Sequence, residues 1–134
     1  MDSHLKKEGA FKEDSYDELT KLAKIHQDFR FMNSREQIEL VKGDVNETIP
    51  EFLIKNKGLI ISLLYLDLDL YEPTKLAIQL LWKRIPKGGI VVFDEAITRT
   101  WQGEAQALHE LIGIGNCELK MIENLKQFYL IKNI

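Results

Sequence analysis

The sequence holds one cysteine, three histidines and no long apolar run, and each shortage closes off a class of function. Cys117 alone cannot form an internal disulfide or complete a zinc knuckle, and it suits a reducing compartment. His26 and His109 fall inside helical patterns, where packing or solvent contact accounts for them. The apolar runs are far shorter than a membrane span, and residues 1–12 lack the apolar stretch of a secretory leader, so a cytoplasmic protein with no membrane partner is expected. The 18 basic residues are outnumbered by 21 acidic ones and scattered over several helical stretches, so the pattern carries no footprint for nucleic acid. The one G-x-G, Gly113-Ile114-Gly115, follows a predicted helix instead of opening one, which is the wrong context for a nucleotide fingerprint.

What is present is the pattern of a single α/β domain, with 134 residues setting the limit at one core of ordinary size. Apolar positions at helical spacing (Tyr16, Leu19, Leu22, Ala23, Ile25, His26) predict a helix over 15–30, with Ser15 and Glu18 placed as a capping box. A short strand is expected at 38–41, ending at Gly43-Asp44. A helix is expected at 47–55, with Pro50 in its first turn. The run 60–66 reads as a buried strand. Pro73 can open the next helix, which continues to the Pro86-Lys87-Gly88-Gly89 turn. A strand at 90–93 and a helix at 102–112 follow. The last two apolar segments, 119–122 and 127–131, are joined by too few residues for a parallel crossover and should pair antiparallel. Alternating strands and helices with this final pair predict a doubly wound sheet. No repeat, low-complexity tract or linker interrupts it.

The acids stand out against this frame. Asp67 and Asp69 follow directly on the apolar run 60–66, and Asp94-Glu95 follows the strand at 90–93. Carboxyl ends of parallel strands are where such sheets bind ligands, so these acids are candidates for chemistry. If the strand persisted, Asp67 and Asp69 would point the same way; if it broke into a loop, both would line the crevice above the sheet. Several carboxylates converging at one edge repel unless a cation sits among them, and Mg²⁺ is the usual one. An acid left outside its coordination shell can serve as a general base. The alternative is that these acids cap the helices that follow them.

The ordered series LYLDLDLYEPTKLAIQLLWKRIPKGGIVVFDEA and WQGEAQALHEL resembles the macrocin O-methyltransferase-like (TylF/MycF) family of class I S-adenosylmethionine-dependent methyltransferases. The likeness extends upstream through Gly9-Ala10-Phe11 to Ile38-Glu39-Leu40-Val41-Lys42-Gly43-Asp44 and Thr48-Ile49-Pro50. It implies a Rossmann-like sheet with a C-terminal antiparallel strand pair, and methyl transfer from S-adenosylmethionine to a small-molecule or sugar hydroxyl. By that resemblance Asp67, Asp94 and Glu95 would hold Mg²⁺ and Asp69 would take the proton from the acceptor hydroxyl. Glu95 departs from the commoner aspartate and is one methylene longer. Gly43 and Asp44 would sit near the adenine of the cofactor; an ordinary strand-to-helix turn explains them equally. Trp101 begins a segment in which substrate contacts or core packing are both open readings.

The family's fold also contains two further strands and a glycine-rich loop that the sequence does not supply, so binding of S-adenosylmethionine by this chain is expected to be weak or absent and the chain itself inactive. Asp2-Ser3-His4 resembles the segment that follows the second of those strands, so the chain is expected to be the C-terminal part of such a domain, with an incomplete sheet. An apolar edge at 60–66 would then be covered in one of two ways: by the strand at 38–41, or by another chain in a homo-oligomer or with a complementing N-terminal chain. A non-catalytic remnant is one alternative function. A phosphatase of the haloacid dehalogenase type is another, since Asp67-Leu68-Asp69 mimics its nucleophile motif; Tyr71 and the short spacing to Asp94 weigh against it.

Overall fold

The computed structural model describes residues 15–31, 37–94, 102–123, 125 and 127–133, and the chain divides into two compact units, 6–44 and the remainder with 45–134 as its body. In the first unit α1 spans Tyr16–Asp28. The expected capping box is absent. Ser15 sits at φ −91°, ψ 4°, outside the extended region a capping side chain needs, and makes no side-chain cap hydrogen bond; its carbonyl instead accepts the Leu19 N–H at 2.9 Å. Tyr16, Ala23 and Gln27 line a cleft of about 440 Å³ with Ile38 and Leu40, while Leu19, Leu22 and Ile25 of the same helix remain exposed. The strand expected at 38–41 does not form. These residues have no ladder partner among the described residues, and Ile38 and Leu40 bury their side chains halfway without one.

The second unit is a sheet covered on one face by helices. Its elements run α2 (Val45–Lys55), β1 (Leu63–Leu66), α3 (Tyr71–Leu81), a short 3₁₀ turn (Trp82–Arg84), β2 (Ile90–Phe93), α4 (Gly103–Leu111), a second 3₁₀ turn (Ile114–Asn116), β3 (Leu119–Met121) and β4 (Phe128–Ile131). Strand order is β1-β2-β4-β3, with β1 and β2 parallel and the other pairings antiparallel. The terminal antiparallel pair and the α/β class thus agree with the sequence pattern. The first of the two expected covers for the apolar run, the strand at 38–41, does not form: among the described residues β1 pairs only with β2.

Register explains where the core lies. Leu64, Val91, Leu130 and Leu119 form one row across the sheet; Leu66, Phe93, Phe128 and Met121 form the next. Because alternate residues face opposite sides, both rows point to one face, where Leu66, Val91, Phe93 and Leu130 pack with Ala77, Ile78 and Leu81 of α3 and Ala107 and Leu108 of α4. The opposite face is less covered, and the reading of 60–66 as a buried strand needs correction. Only 63–66 is strand, and Ile60 is 75% exposed, Leu63 56% and Tyr65 47%; among the described residues β1 has a ladder neighbour on one side only.

Two prolines lie deeper in their helices than expected. Helix α2 starts at Val45, so Pro50 falls in its second turn and leaves one backbone bond unmade there. Helix α3 starts at Tyr71, so Pro73 is its third residue, still among the N–H groups that have no intrahelical acceptor. The turn before β2 forms as expected: Gly89 N–H donates to the Pro86 carbonyl at 3.0 Å, and Gly88 takes φ 87°, which a side chain would resist. No helix among the described residues is long and apolar enough to cross a membrane.

Candidate functional site

Strands β1 and β2 end together. Leu66 pairs with Phe93, and the Asp94 N–H donates to the Leu66 carbonyl at 3.1 Å, so Asp67 and Asp94 leave the sheet side by side at its carboxyl edge. Asp94 is half-buried and Asp67 exposed. The Tyr65 hydroxyl donates to Asp94 Oδ1 at 2.5 Å, and the side-chain amide of Gln127, one residue before β4, donates to both. Pairing of Tyr65 with Val92 and of Val92 with Tyr129 explains the meeting, since Asp94 and Gln127 lie two residues from Val92 and Tyr129. The hydrogen bond to Asp94 raises the Tyr65 phenol first, and slight desolvation and the charges of Asp94, Asp67 and Glu104 add to it, pushing it up to about 12. The three carboxylates therefore act on one point.

Beyond Leu66 the strand breaks, so strand alternation does not carry through to Asp69. Asp69 takes φ 57°, and the Leu70 N–H turns back onto the Leu68 carbonyl at 2.5 Å, a three-residue turn with a half-buried aspartate at its centre. The start of α4 is pressed against this turn. A Cβ on Gly103 would lie 2.4 Å from the Tyr71 nitrogen and 2.7 Å from the Asp69 carbonyl oxygen, so only glycine allows the approach. Glu104 follows, wholly buried, and its Oε1 accepts the Leu68 N–H at 3.1 Å and the Asp69 N–H at 3.4 Å. A second tie joins the same helices: the Tyr71 hydroxyl donates to Glu110 Oε2, Lys75 Nζ donates to the Tyr71 hydroxyl at 2.8 Å, and Gln106 donates to Glu110 Oε1 at 2.9 Å. These contacts hold the Glu110 carboxyl below its ordinary range, the Tyr71 hydrogen bond contributing most.

No group of three or more His, Cys, Asp or Glu among the described residues is arranged to hold a metal. Asp67 and Asp94 supply a pair of carboxylates, a hard oxygen donor set of the kind Mg²⁺ takes with water filling the other positions. Glu95 and Trp101 lie outside the described residues, as do Gly9-Ala10-Phe11 and Asp2-Ser3-His4. Gly43 and Asp44 belong to the first unit; Gly43 takes φ 141° and both are exposed.

Sequence reading missed four residues of this arrangement: Tyr65, Gln127, Gly103 and Glu104. Tyr65 was hidden in an apolar run, and the acid it bonds, Asp94, lies 29 residues away. Gly103-Glu104 did carry a signal, since glycine at a helix start marks a close approach and an acid in the first turn favours the helix dipole. Gln127 carried none, because its partners are set by tertiary pairing alone.

Residues 4–128 match the family model for macrocin O-methyltransferase (TylF). Among solved structures, the chain is similar to an apo structure of CalS11, described as a TDP-rhamnose 3'-O-methyltransferase of calicheamicin biosynthesis, at 32% identity and TM-score 0.84, covering 92% of this chain and 54% of that one. A second structure of CalS11, described as calicheamicin methyltransferase, matches at 33% identity and TM-score 0.84, over 91% of this chain and 48% of that one. The O-methyltransferase NovP shares the fold at 19% identity and TM-score 0.64, over 86% of this chain and 45% of that one. The chain thus spans about half the length of the solved chains it matches. A search of curated proteins found no match.

Proposed function

Because the chain belongs to the TylF macrocin O-methyltransferase family, we propose that the acid-bearing unit is part of a methyltransferase that moves a methyl group from S-adenosylmethionine to a sugar hydroxyl. The observation that carries this reading is the side-by-side exit of Asp67 and Asp94 from paired strands, with Asp69 on the turn beside them. A haloacid dehalogenase phosphatase has no support left once the family is known. The likeness to CalS11 favours a nucleoside-diphosphate deoxysugar as acceptor.

In the proposed mechanism Asp69 accepts the proton of the acceptor hydroxyl as its oxygen attacks the sulfonium methyl: the oxygen–carbon bond forms, the carbon–sulfur bond breaks, and S-adenosylhomocysteine leaves. Asp67 and Asp94, with Glu95, would hold Mg²⁺, which when bound supplies a positive charge that binds and orients the acceptor. Tyr65 and Gln127 orient Asp94 by holding one of its oxygens. Gly43 and Asp44 are assigned to the adenine end of the cofactor.

The test is transfer of a labelled methyl group from S-adenosylmethionine to TDP-rhamnose in the presence of Mg²⁺. Transfer that Asp69→Asn lowers by roughly 100-fold or more is expected for loss of a general base. Cofactor binding without transfer to any sugar hydroxyl would overturn the reading and leave a non-catalytic remnant standing.

A further inference from the structure

Glu104 is the most fully buried acid among the described residues, and the mechanism above does not use it. A carboxyl group at that depth is costly unless donors meet it, and the donors to its Oε1 include two particular backbone amides, those of Leu68 and Asp69. They frame the one non-glycine residue among the described residues with a positive φ. An aspartate at φ 57° is in a sparsely used region and stays there only where its surroundings fix it. Two features fix it from the α4 side. Gly103 lets the helix backbone come against residues 69–71, and Glu104 then reaches under the turn to receive its amides.

We propose that Glu104 is a positioning residue that holds the Leu68–Leu70 turn, and through it the Asp69 carboxylate, in place at the end of β1. The inference deepens the reading of Asp69 as the base and rests on it for its catalytic consequence. Its structural half stands by itself. A buried acid serving only helix α4 would have that helix's own free N–H groups as its natural donors; this one spends Oε1 on a different element, at the residue assigned to the chemistry.

The experiment is amide hydrogen exchange on the wild-type chain and on Glu104→Ala, Glu104→Gln and Glu104→Asp, combined with the methyl-transfer assay. In the wild type the Leu68 and Asp69 amides are expected to be protected although they lie outside regular structure. In Glu104→Ala they should exchange roughly 100-fold faster, the loss of two buried acceptor contacts, while the amides of Val91–Phe93 are unchanged. Glu104→Gln keeps an acceptor at the same reach and should retain most of the protection. Should the alanine variant fail to fold, Glu104→Asp, which withdraws the acceptor by one methylene, takes its place in the comparison. In the transfer assay kcat should fall with the acceptor KM unchanged, with glutamine restoring part of the rate. Two results would overturn the proposal: Leu68 and Asp69 amides that exchange as fast in the wild type as in the variant, or equal acceleration across β2, which would make Glu104 a support of the whole fold. If the exchange pattern holds but Asp69→Asn costs nothing in transfer, the positioning stands and the assignment of Asp69 as base fails.

Discussion

The two faces of the sheet are built from the same kind of residue and end up in different states. On one face Leu66, Val91, Phe93 and Leu130 are sealed beneath α3 and α4; on the other, Leu63 and Tyr65 of β1 are about half exposed. Composition does not separate them, since 63–66 reads Leu-Leu-Tyr-Leu throughout. The difference teaches that an unbroken apolar run encodes a strand meant to be covered on both faces, and that it reports nothing about which face its own chain covers. The candidate site follows the same division. The hydrogen-bonded acid cluster of Tyr65, Asp94 and Gln127 stands on the open face, and the sealed face supplies the rigid base from which it projects.

The sharpest way to break this comparison is to truncate one residue on each face. Phe93 has no exposed surface, and Phe93→Ala should cost about 3–5 kcal/mol, the lost transfer energy plus the cavity left behind. Leu63→Ala, at a position 56% exposed, should cost less than about 1 kcal/mol. Chemical denaturation of the two variants beside the wild type measures the gap. A Leu63 effect as large as that of Phe93 would mean that the open face is covered in solution.

A smaller effect of opposite sign is expected inside the sealed layer. Thr74, in the first turns of α3, has no exposed surface, and its hydroxyl has no hydrogen-bond partner among the described residues. Thr74→Val exchanges an unsatisfied buried hydroxyl for a methyl group of similar size and should stabilise the fold by about 1 kcal/mol. A drop in the melting temperature would place an unseen acceptor beside the hydroxyl.

Much of this layout was legible from the sequence, for reasons that differ by element. The strand at 90–93 was readable because a β-branched run bounded by Gly-Gly and an acid has one plausible extent. The antiparallel pair was readable from its short link, and helix α4 from its spacing and the glycine at 113. The run 38–41 carries a strand's residues but has no partner among the described residues to complete a ladder, a fact no local pattern records. Ser15 and Glu18 had a capping box's spacing without its backbone angles. For the acids, position after a strand identified Asp67, Asp69 and Asp94 as candidates. The partners of Asp94 and Asp69 were invisible, because Tyr65, Gln127 and Glu104 reach them across 29 to 35 residues of sequence through pairing and packing.

The smallest expected effect sharpens the open face alone. Tyr65 donates to Asp94, and that bond, with slight desolvation and the surrounding carboxylate charge, raises its phenol to about 12 from an ordinary value near 10. The unfolded chain then releases this proton first as pH rises, so between those values the folded state binds more protons and stability falls with pH. The contribution of Tyr65 is complete below the unfolded value and is lost as pH passes the folded one. Comparison of wild type with Tyr65→Phe by denaturation at a series of alkaline pH values should give a small stability difference, constant below about pH 10 and shrinking toward pH 12. Phe93→Ala, on the sealed face, should keep its full cost over the same range, because no titrating group touches it through a hydrogen bond. A Tyr65→Phe difference that is flat with pH would mean that the phenol is not bound to Asp94, and that Gln127 alone orients that carboxylate.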